Sequence, residues 1–277
     1  MIDQKTIFND FKNLLIEINH HLPDDYRALL KREFEASGEN PDYLELILRN
    51  EETASAEGLP LCQDCGTVCV NVRKGRELCL DFSMELAVNS AVREVYTGRE
   101  YRCSQSCSPI ERANTGDNTP VVFSMEETEE QGLTVEVMIK GGGSENLAFA
   151  DMLSPSDGPD QVIEHILSRL LPRIADACPP VIVGVGLGGG LDRAALLAKK
   201  ALFREPGTAS TAAYLADFEK KLKARLNSSG IGPFGLAGKL AVLSVQAEEA
   251  PCHIASLPVA VNVMCHSYRV GRLIYES

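Results

Sequence analysis

The stretch LTVEVMI at residues 133–139 alternates side chains in the way expected of a half-buried β-strand. The segment PVVFSM at residues 120–125 comes before it and also predicts a strand, with no helical pattern between the two. Consecutive strands of this kind interrupt any strict alternation of strands and helices. They favour an α+β fold, an irregular mixed α/β arrangement with mixed or antiparallel sheets flanked by helices, over a doubly wound parallel sheet.

The N-terminal part of the chain, residues 1–56, predicts helices only. Its first helix is indicated by apolar side chains at helical spacing: Ile7, Phe11, Leu14 and Ile18. The pattern returns over residues 24–34, and Asn40 and Pro41 offer an N-cap and a first-turn proline to a third helix. We expect a helical lobe over 1–56 packed on a mixed α/β body over 57–277, the two forming a single domain.

Short apolar runs bounded by glycine, proline and polar residues predict the remaining elements. The further strands are expected at residues 66–72, 78–82, 181–187, 240–245 and 259–264. The further helices are expected at residues 83–97, with Ser83 as the N-cap, and at 161–174, 191–203 and 213–226. The polar segment 204–210 is expected to be a surface loop.

The charge balance of the chain narrows the classes of partner. Lys and Arg number 27 against 39 Asp and Glu, which gives a net charge of −12. Such an acidic chain is a poor candidate for binding nucleic acid or an anionic membrane. No apolar run is long enough to span a bilayer, and the N-terminus lacks the charged start and apolar stretch of a signal peptide. We expect a cytoplasmic protein.

Nine cysteines are present, an odd number that cannot pair completely within one chain. In a reducing compartment they are expected to be thiols, metal ligands or catalytic groups. Cys62 and Cys65, spaced as C-x2-C, together with Cys103 and Cys107, spaced as C-x3-C, allow a four-cysteine zinc site. Spacing alone does not choose between this zinc site and a cluster whose ligands come from distant positions.

Two segments beside predicted strands carry site-like chemistry. Cys62, Gln63 and Asp64 place a thiol, an amide and a carboxylate together just before Gly66. The glycines in KGGGSEN at residues 140–146 expose backbone N–H groups that suit anionic oxygens. The similar segment NTGDNTP at 114–120 is explained by tight-turn chemistry.

Other signals are weaker when taken singly. Cys178 precedes two prolines at the entry to the strand 181–187, and His253 and Cys265 flank the strand 259–264. The glycines at 184–189 fit G-x-G-x-x-G between a strand and a helix, as in a dinucleotide-binding fingerprint. The acidic residue at the matching distance, Glu205, follows the helix in a loop instead of ending a second strand, which argues against NAD or FAD binding.

Together, and in this order, the segments resemble a known family. They are similar to the alpha subunit, or N-terminal half, of the iron–sulfur hydro-lyases, the class I fumarases and L-tartrate dehydratases. The resemblance covers nearly the whole chain, and its blocks lie at residues 61–66, 114–120, 140–146, 154–158, 178–186, 197–201, 230–236 and 253–266.

The resemblance implies a [4Fe-4S] cluster held by Cys62, Cys178 and Cys265. One iron would be left without a protein ligand and would act as a Lewis acid in the reversible hydration of a C4-type dicarboxylate. Fumarate/malate is the first expectation for the substrate, and conversion of tartrate to oxaloacetate is the second.

The resemblance also implies roles for neighbouring residues. Asp64 and His253 would be the catalytic residues, with Asp64 transferring a proton. The substrate would be bound by Gln63, Arg102 and the backbone of Gly142 and Gly143. Cationic groups such as Arg102 are what two carboxylates require, even in an acidic chain.

The chain departs from the family pattern in informative places. Cys65 stands where the family usually has threonine, and HSYR at 266–269 replaces a run of small residues and arginine. The family's second half does not follow Cys265, so we expect a separate beta subunit that completes the active site, alpha–alpha pairing and a heterotetramer. Two alternatives stay open: a related dehydratase acting on another hydroxy-dicarboxylate, and a non-catalytic zinc- or cluster-binding subunit.

Overall fold

The computed structural model describes residues 2–276 and divides into two compact units. The first unit comprises the segment ending at Pro23, Asn50–Gly142 and the segment beginning at Arg269. The second comprises Asp24–Arg49 and Gly143–Tyr268. That the whole chain acts as a single domain stays a prediction.

In chain order the α-helices are α1 (Gln4–His20), α2 (Asp24–Ser37), α3 (Pro41–Glu57), α4 (Met84–Gly98), α5 (Gly142–Glu145), α6 (Pro159–Leu170), α7 (Leu191–Ala201) and α8 (Ala213–Asn227). The strands are β1 (Thr67–Gly75), β2 (Val122–Thr128), β3 (Leu133–Lys140), β4 (Phe149–Leu153), β5 (Val181–Gly188), β6 (Val242–Ala250), β7 (Leu257–Met264) and β8 (Val270–Tyr275). Short 3-10 helices cover Ile174–Ala177 and Pro233–Gly235.

The first unit is built on a mixed sheet with strand order β2-β1-β3-β8. β1 runs parallel to β2 and antiparallel to β3, which is antiparallel to β8. Alternate residues of β1 and β3 join α1 and α4 in one hydrophobic core: Val68, Val70, Val72, Val135, Val137 and Ile139. The intervening Asn71 and Glu136 are neighbours across β1 and β3 and form a hydrogen bond of 2.8 Å. The period-2 pattern that predicted β3 therefore separates an apolar face from a polar one.

The second unit has its own mixed sheet, with strand order β4-β7-β5-β6. β5 is parallel to β6 and antiparallel to β7, which is antiparallel to β4. Residues Val181, Val183 and Val185 of β5 join a hydrophobic core with α6 and α8. The alternate residues Gly184 and Gly186 contact α7, where an added Cβ would come within 2.2 Å of Ala198 O and 1.9 Å of Ala194 O, respectively.

These contacts account for the glycine pattern at 184–189. The helix backbone of α7 lies directly against β5, and only glycine leaves room for it. The resemblance to a dinucleotide fingerprint thus has a packing explanation in this chain.

The α+β expectation is confirmed by the two mixed sheets and the helices packed on them. The three N-terminal helices form as expected, and α1 belongs to the first unit whereas α2 belongs to the second. Ser83 caps α4 as predicted, with its Oγ accepting a hydrogen bond of 3.3 Å from Leu86 N. No helix among residues 2–276 is both long and apolar enough to cross a membrane.

Some local expectations were wrong. Residues 78–82 form no strand, because the chain turns at the end of β1, where Leu78 N donates to Gly75 O at 2.9 Å. The predicted helix 161–174 ends at Leu170, shortly before Pro172, a residue that disfavours a continuing helix. β4 and β8 were not predicted, because both are short and their polar residues do not alternate cleanly.

The packing of α7 on β5 makes a testable prediction about stability. Gly186→Ala should lower the free energy of unfolding by about 3 kcal/mol or more, because the methyl group meets helix backbone that cannot move aside. Gly98→Ala is the matched control, since nothing lies within 4 Å of its Cβ position at the end of α4. The free energy of unfolding of Gly98→Ala should rise by about 0.5 kcal/mol. Urea unfolding of both variants measures the difference. Equal losses in the two variants would contradict the packing explanation.

Candidate functional site

The carboxylate of Asp64 is the centre of a hydrogen-bond network in the first unit. Its Oδ1 accepts from Gly66 N at 2.9 Å and from Ser104 Oγ at 3.1 Å, and its Oδ2 accepts from Gly142 N at 2.7 Å. Burial favours the neutral acid, but these hydrogen bonds and the charge of Arg269 outweigh it and hold the pKa of Asp64 below its ordinary value. Asp64 is therefore a carboxylate that fixes three chain segments at one point.

The glycine segment meets this carboxylate directly. Gly141 is buried, and Gly142 is exposed and donates its N–H to Asp64. The anionic oxygen bound here is thus supplied by the protein itself. Gly143 belongs to the second unit, where a Cβ would come within 2.9 Å of Asp176 O. Ligand binding by Gly142 and Gly143 stays a prediction.

The segment 114–120 is hydrogen-bonded to the two loops that contact Asp64. Asn118 is fully buried, and its side chain accepts from Ser104 N at 2.6 Å and donates to Gly66 O at 3.0 Å. Asn114 Nδ2 donates to Cys103 O at 2.9 Å. The turn chemistry predicted for this segment is thus used to fix the two loops that contact Asp64.

Three further predicted residues of the first unit lie on the same loops as these groups. The half-buried Cys62 is 3.6 Å from Gln63 Oε1 through its sulfur, and Gln63 is exposed. Arg102 is also exposed, and its backbone N–H faces the sulfur of Cys65. Cys62 and Gln63 thus belong to the loop that carries Asp64, and Arg102 belongs to the loop that carries Ser104.

The cysteines of the zinc alternative do not form a metal site. Cys65 is buried in the core of the first unit, and burial raises the pKa of its thiol. Cys107 is exposed and Cys103 is half-buried. Across the described residues 2–276, no three His, Cys, Asp or Glu side chains are gathered so that they could hold a metal ion. The cysteines of an iron–sulfur cluster bind different irons and need not meet at one point. The finding therefore applies to sites for a single metal ion.

Arg269 is a functional candidate that the sequence did not reveal. Its side chain is fully buried, and none of its three guanidinium nitrogens has a hydrogen-bond partner in the described part of the chain. An added Cβ at Gly141 would lie 3.8 Å from Arg269 Nη2 and 3.3 Å from Asp64 Oδ2. The sequence showed Arg269 only as part of a departure from the family pattern, because burial and pairing depend on tertiary structure.

In the second unit, His266 joins the segments of Cys178 and Cys265. Cys178 adopts a left-handed conformation after the 3-10 helix Ile174–Ala177, and its carbonyl accepts from His266 Nδ1 at 2.8 Å and from His266 N at 3.4 Å. Burial lowers the pKa of His266, which favours the neutral ring. Tyr26 Oη donates to His266 O at 3.0 Å and so fixes the residue that follows Cys265. Two of the predicted cluster cysteines are thereby held on neighbouring segments.

His253 lies in an exposed turn of the second unit. Its Nδ1 accepts from Ala255 N at 3.0 Å, so in the neutral ring the proton is on Nε2. Its carbonyl accepts from Ser256 N at 2.9 Å. The turn therefore orients a ring whose Nε2 is able to donate to a ligand.

The chain is similar to known proteins over almost its whole length. A model of the fumarate hydratase (Fumerase) family matches residues 9–273. A putative L(+)-tartrate dehydratase subunit alpha of Methanocaldococcus jannaschii is 33% identical over 258 residues, covering 90% of each chain. The L(+)-tartrate dehydratase subunit alpha of Escherichia coli K12 is 30% identical over 271 residues, covering 96% of this chain and 89% of the relative.

The supporting turn predicts a pH dependence of stability. Burial disfavours the charge of Asp117, but hydrogen bonds from Arg93 and Thr119 lower its pKa to about 2, against an ordinary 3.8. A depressed pKa adds stability above pH 3.8 that is lost as the pH falls through 2. Asp117→Asn should therefore unfold about 1–2 kcal/mol more easily at pH 7, with the deficit shrinking below pH 4. Urea unfolding at pH 7, 4 and 3 tests this, and a constant deficit would refute it.

Proposed function

Because this chain belongs to the fumarate hydratase family, we propose that it is the alpha subunit of a hydro-lyase that hydrates or dehydrates a small dicarboxylate. The observation that carries the proposal is the family match over residues 9–273. That range includes every predicted ligand and catalytic residue, from Cys62 to Cys265. The names of the relatives, which are tartrate dehydratase alpha subunits, support the same reaction class.

Two C4 substrates are proposed for the assembled enzyme. The family description supports fumarate/malate, and the names of the relatives support conversion of L(+)-tartrate to oxaloacetate. Both reactions remove a C–H proton and a hydroxyl group from a molecule with two carboxylates. They therefore require proton transfer and cationic carboxylate-binding groups, whichever substrate is used.

The cofactor in this proposal is a [4Fe-4S] cluster held by Cys62, Cys178 and Cys265. Thiols are the donors that such clusters use, and none of the nine cysteines, all of them within residues 2–276, forms a disulfide. The hydrogen bonds from His266 to Cys178 O fit a shared role for Cys178 and Cys265. When bound, the cluster would supply a Lewis acid for the hydroxyl group through an iron without a protein ligand.

The side chains of this chain would bind the substrate and move protons. Asp64 is proposed as the proton-transfer residue, held in place by Gly142 N and Ser104 Oγ. His253 would donate from Nε2 to a substrate oxygen. Gln63 and Arg102, both exposed, would contact the substrate hydroxyl and one carboxylate. The backbone of Gly143 would contribute its N–H group, and the N–H of Gly142 would be shared between the substrate and Asp64.

The proposed active enzyme contains a second polypeptide. The relatives are named as alpha subunits, which supports a separate beta subunit for this chain as well. Pairing of two alpha chains and a heterotetramer complete the proposal. Light scattering of the co-purified chains measures the assembly.

The ligand set is tested by Cys178→Ser with Cys79→Ser as the control, since Cys79 is exposed and outside the proposed set. After anaerobic reconstitution, we expect about four iron and four sulfide per chain for the wild type and for Cys79→Ser. Cys178→Ser should lose most of both. Iron, acid-labile sulfide and zinc are measured in the same samples.

A different metal content would favour the alternative reading. Zinc near one per chain with little sulfide, unchanged by Cys178→Ser, would support the zinc- or cluster-binding subunit without activity. Retention of the full cluster by Cys178→Ser would refute the ligand set while leaving the hydro-lyase assignment to be tested by turnover.

The role of Arg102 is tested by kinetics of the chain assembled with its beta subunit. Arg102→Met should raise the KM for the dicarboxylate at least about 10-fold, because a charge-assisted contact to a carboxylate is lost. Arg99→Met removes a neighbouring exposed arginine and should leave KM within twofold. An unchanged KM in Arg102→Met would exclude this residue from carboxylate binding.

A further inference from the structure

Arg269 carries a buried charge that the protein itself does not satisfy. Its relative exposure is 0%, and its Nε, Nη1 and Nη2 all lack hydrogen-bond partners among residues 2–276. Removing a guanidinium from water is costly unless it is paired, so buried arginines in stable proteins are normally bound to carboxylates or carbonyls. Arg269 therefore has N–H donors but no acceptor for them among residues 2–276.

Other arginines of the first unit show what pairing looks like in the same fold. Arg272, on the strand β8 that begins directly after Arg269, binds Glu136 at 2.9 Å, and Arg93 binds Asp117 at 2.7 Å. The carboxylate close to Arg269 is Asp64, whose oxygens instead accept from Gly66, Ser104 and Gly142. A carboxylate therefore lies near Arg269, but the hydrogen bonds that this carboxylate accepts come from other groups.

Gly141 lies close to both charged groups. The point where its Cβ would lie is 3.3 Å from Asp64 Oδ2 and 3.8 Å from Arg269 Nη2, so only glycine lets the backbone pass this close to them. Asp64 is half-buried and is bordered by the exposed Gly142 and Ser104, which connect the network to solvent.

We propose that Arg269 is a carboxylate-binding residue of the candidate site and that it takes one carboxylate of the dicarboxylate substrate. The inference rests on the proposed function for its substrate class. A guanidinium offers five N–H donors in a planar fork and binds a carboxylate in a bidentate manner, which an ammonium group cannot do. With Arg102, this chain then carries two cations for the two carboxylates.

The direct test uses succinate, an unreactive C4 dicarboxylate, as the probe. Calorimetry is performed on the full chain as purified and after anaerobic reconstitution with iron and sulfide. Arg269→Met should weaken succinate binding at least about 10-fold, and Arg269→Lys should fall between Arg269→Met and the wild type. Arg272→Met, the matched control three residues further along the chain, should bind as the wild type does.

Thermal unfolding without succinate separates this role from a structural one. Arg269→Met should leave the unfolding midpoint close to that of the wild type, because the removal of a buried charge without hydrogen bonds is offset by the loss of the charge that helps to keep Asp64 ionised. Arg272→Met should lower it, because Glu136 loses its ion-pair partner. A structural arginine at position 269 would give a clearly lower midpoint and unchanged succinate affinity.

A second variant leaves the charge in place. Gly141→Ala places a methyl group against Asp64 Oδ2 and close to Arg269 Nη2, and should weaken succinate binding although Arg269 is intact. Gly98→Ala, with nothing within 4 Å of its Cβ, is the control and should not change binding.

The results distinguish this inference from the function on which it rests. No succinate binding by the wild type in either state, or equal binding by Arg269→Met, would overturn the role of Arg269. Turnover of malate or tartrate by the wild type with its beta subunit tests the hydro-lyase itself. Turnover with an unchanged KM in Arg269→Met would refute only Arg269. Arginine-dependent succinate binding without turnover would refute only the hydro-lyase.

Discussion

The hydrogen bonds accepted by Asp64 are the constraint on which the candidate site depends. One carboxylate receives the N–H of Gly66 from its own loop, the hydroxyl of Ser104 from a second loop and the N–H of Gly142 from the start of α5. Hydrogen bonds to an ionised acceptor are stronger than those between neutral groups, so two loops and the start of a short helix acquire a fixed common point. Asn118 then binds two of the same loops through Gly66 O and Ser104 N.

This convergence is possible only because glycine stands where the chains approach closely. Gly66 has a positive φ of 67°, and a Cβ on it would come within 2.6 Å of Lys140 O at the end of β3. A larger residue would push the Asp64 loop away from the strand and break the bond to Gly142. The glycines of β5 also allow a close backbone approach, but there the neighbouring backbone is that of α7 and no carboxylate is involved. Glycine-rich segments in this chain therefore mark close backbone approach, and a ligand is only one of the reasons for it.

The sequence predicted those features that depend on local periodicity. The alternation at 133–139, the helical stripe at 7–18 and the cap at Ser83 each became the expected element, because one face of each is buried in a core. Features that depend on distant residues were not visible. The hydrogen bonds from His266 to Cys178 O join positions 88 residues apart, and the charge of Arg269 is notable only because it is buried without a partner. The family resemblance supplied the candidate residues Cys62, Cys178 and Cys265 without supplying their geometry.

The acidity of the chain is compatible with the anionic substrate that we propose. A net charge of −12 acts through solvent, where physiological salt screens exposed charges beyond about 8 Å. Binding of a carboxylate is decided within a few ångströms, where the buried guanidinium of Arg269 would be weakly screened and the nearby Asp64 already accepts three hydrogen bonds from other groups. Surface acidity and the proposed anion binding are therefore compatible in one chain.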